Sequence, residues 1–255
     1  MFALERQKRI LELLSENRAV WVSKLSTELG VTEETIRRDL EKLEKQEMLM
    51  RTHGGAVPID DSTYEMSLEK RKATNVDIKM KLAQEAVKLI SPGDTIFLDA
   101  STTTFYMSKE IKKLKNVTVI TNSIRIVNEL SGVESVRVIS VGGMVGNNQS
   151  FIGSLAENSI SENFFASKMF FSSKGITKDA GILESNEQES GIKQRMLKNC
   201  KQRYYLCDKT KIGQIGFVKL APLESVHKII TEAVLDEKWQ KKLSDLNVEI
   251  VKVDI

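Results

Sequence analysis

The chain has 255 residues, 41% of them hydrophobic, 29% charged and 6% aromatic, and carries a net charge of +3. That length and apolar content suit two domains or one large one with a real core, and no run of about 18 apolar residues offers a membrane span. Two cysteines, Cys200 and Cys207, outside any CxxC spacing, and two histidines, His53 and His227, argue against a disulfide framework and a zinc site, so neither metal nor cofactor is expected.

The N-terminal "MFALERQKRILELL" breaks every apolar run with charge, unlike a signal peptide, and a cytoplasmic protein is expected. Residues 4–16 read as a helix with Ile10, Leu13 and Leu14 inward. "AVWV" (19–22) gives a very short strand, with Val20 and Val22 in alternation. Ser23 is the expected cap of a second helix, "KLSTELG", which turns Leu25 and Leu29 inward and stops at Gly30. In "VTEETIRRDLEKL", Ile36, Leu40 and Leu43 recur at i, i+4 and i+7 on one helical face. Thr32 is its N-cap, and Glu33 and Glu34 suit the positive end of its dipole. "MLMRTHGGA" then changes period to a short strand and a turn at Gly54-Gly55. Three short helices and a hairpin, with a Gly30 turn between the second and third, have the form of a helix-turn-helix (about 20–39) with a wing.

The outward face of the third helix carries Glu34, Arg38, Glu41, Lys42 and Lys45, flanked by Thr35 and Arg37. Arginine there can bridge two acceptors on guanine or clamp a phosphate. Arg51 and His53 fall in the wing, near the DNA backbone. The expected DNA-contact set is Ser23, Thr32, Thr35, Arg37, Arg38, Lys42, Arg51 and His53. The electrostatics do not announce this role: the first 58 residues hold ten Lys/Arg and ten Asp/Glu, so a binding face depends on how the charges are arranged. A solvated surface helix is the alternative.

Residues 59–76 are polar, without a sustained period, and read as a linker. A helix is expected from about Asp77 to Ile90. Apolar strands follow at 95–99, 117–121, 136–141, 168–173, 203–208 and 228–231, alternating with helical stretches. The whole is α/β: an N-terminal winged helix-turn-helix (1–58) and a larger doubly wound, mostly parallel domain (77–255). Ligands of such sheets bind at the carboxyl ends of the strands. Asp99 ends one strand, and Ser101, Thr102, Thr103 and Thr104 open the next helix as an anion pocket; ordinary helix capping is the competing reading. "TNS" (121–123) ends a second strand. "CDKTKIG" ends a later one, with Asp208 and with Lys211 offering a cation to the same ligand. "VGGMVG" (141–146) is no dinucleotide fingerprint, since it lacks GxGxxG in place.

The run "VSKLSTELGVTEETIRRDLEKLEKQEMLMRTHGGA" resembles the signature of DeoR-type transcriptional regulators: a helix, a Gly-Val turn, "ETIRRDL", a basic residue and "HGGA". The strand ends resemble, in the same order, the C-terminal sensor domain of that family, similar in fold to ribose-5-phosphate isomerase. The resemblance implies operator DNA and a phosphorylated sugar as partners. It carries a phosphate-binding role onto Ser101 to Thr104, a wall role onto Asn122 and Ser123, and a ligand-side role onto Lys211; Asp99, Lys174 and Asp208 complete the expected effector set. Where the isomerases have an acidic "DGADE"-like run, this chain reads "FFSSKGI", with Ser172, Ser173 and Lys174. The missing acidic pair argues against an enzyme. Asp179, Glu184, Glu187 and Glu189 are expected on a solvated, partly ligand-facing edge. The resulting expectation is a repressor of a carbohydrate operon, released by a phosphorylated sugar, acting as a homodimer or homotetramer. The alternatives are a sugar-phosphate isomerase with a DNA-binding arm, an activator, or a ligand-free architectural binder.

Overall fold

The computed structural model describes residues 2–17, 19–52, 54–57 and 66–255, and the chain forms two compact units, Met1–Met66 and Ser67–Ile255. In the first, helix α1 (Ala3–Asn17) leads to strand β1 (Val20–Trp21), α2 (Val22–Leu29), α3 (Glu33–Lys45), β2 (Met50–Thr52) and β3 (Gly55–Val57). The strands pair antiparallel in the order β1-β3-β2, so the expected hairpin gains a third strand. Ile10, Leu13, Leu14, Leu25, Leu29, Ile36, Leu40, Leu43 and Leu49 form one buried core beneath it.

Local chemistry explains the turns. Gly30 sits in the left-handed region at φ 64° and its N–H donates to the Ser26 carbonyl, ending α2. Thr32 caps α3 by accepting the Thr35 N–H at 3.3 Å. Ser23 is not the cap of α2. The helix opens two residues earlier, at Val22, after an extended Trp21 with no side-chain cap. The Gly54 carbonyl accepts the Val22 N–H at 2.9 Å, so the wing does the capping. Gly55 is obligatory at the β1–β3 contact: a Cβ there would lie 1.8 Å from the Val20 carbonyl oxygen.

The second unit begins with α4 (Leu68–Ala73) and α5 (Val76–Val87). Residues 68–73 of the expected linker are therefore helical, too short a stretch to show a period. Next come β4 (Thr95–Leu98), α6 (Thr102–Ile111), β5 (Val117–Thr121), α7 (Ile124–Leu130), β6 (Val136–Ser140), the small hairpin β7 (Met144–Val145) and β8 (Phe151–Ile152), α8 (Ser154–Asn163) and β9 (Ala166–Phe171). Then follow β10 (Gly175–Thr177), β11 (Gly181–Glu184), α9 (Glu187–Lys198), β12 (Cys200–Leu206), β13 (Val218–Ala221), β14 (Lys228–Thr231), α10 (Glu237–Asp245) and β15 (Glu249–Lys252).

The main sheet has seven strands in the order β15-β14-β12-β9-β4-β5-β6, every neighbouring pair parallel. In this unit antiparallel pairing occurs in β7–β8, in an isolated Ser123–Ser150 bridge and in a small sheet, β10-β11-β13. Both faces of the main sheet are covered. Ile96 and Leu98 of β4 pack with α5, α6 and α7, whereas Phe97 between them packs with α8, α9 and α10. Strands buried on both faces need apolar residues at every position, hence their continuous hydrophobic runs. Strand order reverses between β4 and β9, which makes their carboxyl ends the topological switch point of the doubly wound sheet.

Candidate functional site

The first unit presents α3. Its apolar face is buried, while Arg37, Arg38, Lys42 and Lys45 are exposed. Arg37 pairs with Glu33 and Arg38 with Glu34, both at 3.2 Å and one helical turn apart, and Lys45 pairs with Glu41 at 2.7 Å. Three of the four cations on the outward face are thus paired with a glutamate of the same helix. Such exposed pairs are worth about 0–1 kcal/mol and exchange readily for phosphate or base acceptors. Arg51 of β2 is held by Glu44, through its side chain at 2.7 Å and its N–H at 3.0 Å. Ser23 is exposed, and Thr35 shares a 3.0 Å hydroxyl contact with Thr32. His53 lies outside the described residues. Asp39, beside these arginines in the chain, faces the other way. It is buried and pairs with Arg6 of α1 at 2.5 Å, with Gln7 donating at 3.0 Å. It locks α3 onto α1 instead.

In the second unit the expected effector residues gather at the carboxyl ends of β4, β5, β9 and β12. Ser101 caps α6. Thr104 Oγ1 lies 2.8 Å from Asp99 Oδ1, and Ser101 Oγ also donates to that oxygen at 2.8 Å. Asp99 Oδ2 accepts the Ser172 N–H at 3.3 Å and meets Lys193 Nζ at 3.0 Å. Asp99 and Thr104 are therefore committed inside the fold. Among the described residues, the N–H groups of Thr102 and Thr103 have no partner, and the buried Thr103 Oγ1 has none either. Asn122 Nδ2 donates to the Phe151 carbonyl at 3.3 Å, leaving its buried Oδ1 unpartnered. Ser123 caps α7. Asp208 caps the short turn Lys209–Lys211 by accepting the Thr210 N–H at 3.0 Å. Lys211 Nζ reaches across to β9, donating to Ser172 Oγ at 2.6 Å and to the Ser173 carbonyl at 2.7 Å. Lys174 is half-buried beside them.

Sequence reading missed much of this crevice. Glu184 and Glu189 are buried, not part of a solvated edge. Lys193 of α9 pairs with Glu184 and Asp99 and donates to the Ser172 carbonyl at 2.7 Å. Burial alone would discharge this lysine, but Glu184, Asp99 and Glu189 outweigh it and hold its pKa above the ordinary value. Burial pushes the Glu189 carboxyl up, against Lys193 and the hydrogen bonds from Ser150 and Asn148. Arg125 of α7 is buried with its Cζ 5.2 Å from the centre of the Phe105 ring. Lys79 of α5 had a legible signal: it occupies the buried stripe Lys79, Leu82, Ala83, Ala86, where a charge is out of place. Cys200 and Cys207 are free and buried, and burial pushes both thiols up to about 12, which suits structural cysteines.

The family models match along the same division. One for the DeoR-like helix-turn-helix domain covers residues 6–62, and one for the DeoR C terminal sensor domain covers residues 74–233. The chain belongs to the DeoR family. It is a DNA-binding transcriptional regulator, as are its relatives. It is 42% identical over its whole length to the uncharacterized HTH-type transcriptional regulator YulB of Bacillus subtilis, covering 98% of that protein. It is 36% identical to the lactose phosphotransferase system repressor of Streptococcus mutans, over 93% of this chain and 95% of that one. To the L-fucose operon activator of Haemophilus influenzae it is 32% identical, over 92% and 94%. In this DeoR-type regulator no helix among the described residues is long and apolar enough to cross a membrane.

Proposed function

We propose that this DeoR-type regulator represses a carbohydrate-utilisation operon and releases its operator when a phosphorylated sugar enters the crevice of the second unit. The observation that carries this reading is the convergence, at the switch point of the sheet, of the α6 N-terminus with Thr102 and Thr103, of Asn122 and Ser123, and of the Lys211 ammonium. Unpaired N–H groups at a helix N-terminus favour a phosphate. The open polar atoms of Thr103 and Asn122 suit sugar hydroxyls. On the DNA side, Arg37, Arg38 and Thr35 on α3 read or clamp the operator, with Ser23, Thr32, Lys42 and Arg51 around them. A non-enzymatic role is supported by the pairing of Asp99 and Glu184 with Lys193, which leaves neither carboxylate free as a base. Two copies or four bind a two-fold operator.

The test is fluorescence anisotropy of the intact protein on DNA from upstream of its own operon, titrated with phosphorylated sugars chosen by thermal-shift screening. One of them should weaken binding by roughly 5–150-fold, the usual range of allosteric coupling. Binding indifferent to every sugar phosphate sinks the reading. In-vitro transcription then fixes the sign: a rise on adding the protein would make it an activator, like the Haemophilus relative by its name.

A further inference from the structure

Among the described residues, three cations in the crevice make no ion pair. Lys79 Nζ donates only to the Arg71 and Thr74 carbonyls, at 2.5 and 2.7 Å, and is 4% exposed. Lys211 Nζ donates only to Ser172 Oγ and the Ser173 carbonyl. Arg125, 8% exposed, donates through Nη2 to the Ala100 carbonyl at 2.9 Å, while its Nε and Nη1 have no partner at all. By contrast, Lys193, in the same crevice, meets two carboxylates. Burying a cation without an ion-pair partner is costly, and here Lys211 and Arg125 both act on Lys79. Burial, then the charges of Lys211, Arg71 and Arg125, lower the Lys79 pKa to about 8, with Asp208 opposing. Burial and the Arg71 charge lower that of Arg125 too.

The place of the guanidinium decides what fills the deficit. Ala100 immediately precedes the Ser101 cap, so Arg125 stands at the N-terminus of α6, beside the unpartnered Thr102 and Thr103 N–H groups. Asp208 is the one carboxylate acting on both Lys79 and Lys211, and it is occupied in capping Thr210. Asp99 and Glu189 also act on Arg125, and Glu184 on Lys211, but Asp99 and Glu184 are already paired with Lys193, so the three cations lack a carboxylate of their own.

We propose that Arg125, with Lys79 and Lys211, forms the seat of an anion, and that Arg125 is its clamp. A phosphate monoester is the group that matches: its several oxygens can accept an open guanidinium N–H of Arg125 and the α6 N–H groups at once. The seat rests on the reading of this crevice as the effector site, and makes Arg125, absent from the expected set, its main determinant of affinity.

The experiment is isothermal titration of the full chain with inorganic phosphate near neutral pH, for the unmutated protein, Arg125→Gln and Arg125→Lys. A second titration uses sulfate at pH 8 in two buffers of unlike ionisation heat, since sulfate itself does not titrate there. Arg125→Gln should weaken phosphate at least about thirtyfold, the usual effect of removing one partner from a buried charge pair. Arg125→Lys, which keeps the charge and loses the planar array of donors, should fall between. Sulfate binding should take up protons, because a dianion raises Lys79 back against Arg71, Arg125 and Lys211. Equal phosphate affinity in all three proteins, or no anion binding by the unmutated chain, overturns the seat. Should Arg125→Gln not fold, the sulfate titration still decides: binding without proton uptake overturns it. A seat lost in this way, with a sugar phosphate still releasing the operator, leaves the proposed function standing. Phosphate held through Arg125 with no sugar phosphate active on the operator does the reverse.

Discussion

Arg6 and Asp39 meet at 2.5 Å with side chains 10% and 3% exposed, the only buried ion pair described in the DNA-binding unit. Removing one partner strands the other charge in the core. Asp39→Ala should therefore cost about 3–5 kcal/mol, read as a lowered denaturation midpoint for this unit, with the transition of the second unit unchanged. A loss below about 1 kcal/mol would show that Arg6 finds water or another acceptor. Lys79 gives a pH signature. Its ordinary pKa of 10.5 is lowered to about 8 by burial and by neighbouring cations. Between those values the unfolded chain holds a proton that the folded chain has released, so this residue makes stability rise with pH across that window. Lys79→Met should abolish that rise when the two proteins are compared by chemical denaturation at pH 8 and pH 10; parallel profiles would contradict the lowered value.

Among the elements, α3 follows from its residues almost completely. The apolar stripe, the Thr32 cap, the acidic first turn and the basic last turn agree with one another. What the stripe cannot show is that Glu33 and Glu34 neutralise Arg37 and Arg38 before DNA arrives. Arg37→Ala and Arg38→Ala should each weaken specific operator binding by about 1–3 kcal/mol if the arginine reads a base. A phosphate contact would weaken specific and scrambled DNA alike and flatten the salt dependence. Mobility shifts at two salt concentrations separate the cases, and unmutated affinity in both variants would remove α3 from the interface. Helix α4 is the opposite case. It has six residues and no readable period, and part of its support comes from elsewhere in the chain, through the Lys79 bonds to the carbonyls of Arg71 and Thr74. In Lys79→Met, hydrogen exchange should speed up in α4 and stay unchanged in α6; protection of α4 at its original level would assign its stability to other contacts.

At the scale of the whole molecule, one recognition helix reads few base pairs, and two-fold operators are met by two-fold proteins. Residues 67–255, a compact unit with its own core, should sediment as a dimer or larger at micromolar concentration; a monomer would place self-association elsewhere or nowhere. The sequence by itself determined the two-part plan, the winged helix-turn-helix and the alternation of apolar strands with helices. These are set by local periodicity, by turn chemistry at Gly30 and Thr32, and by strands whose two faces are both buried. It also located the strand ends around Ser101, Asn122 and Lys211, because a parallel sheet puts its loops at one edge. Only the tertiary structure decided which side chains at that edge are already spent. Asp99 and Thr104 turn inward, and Lys193 pairs with both Asp99 and Glu184, residues of two different strand ends. Arg125, Lys79 and Lys211, far apart in sequence, are left as cations that make no ion pair among the described residues. Charge compensation acts through space at a few ångströms, and spacing along a chain carries no record of it until the strands have paired.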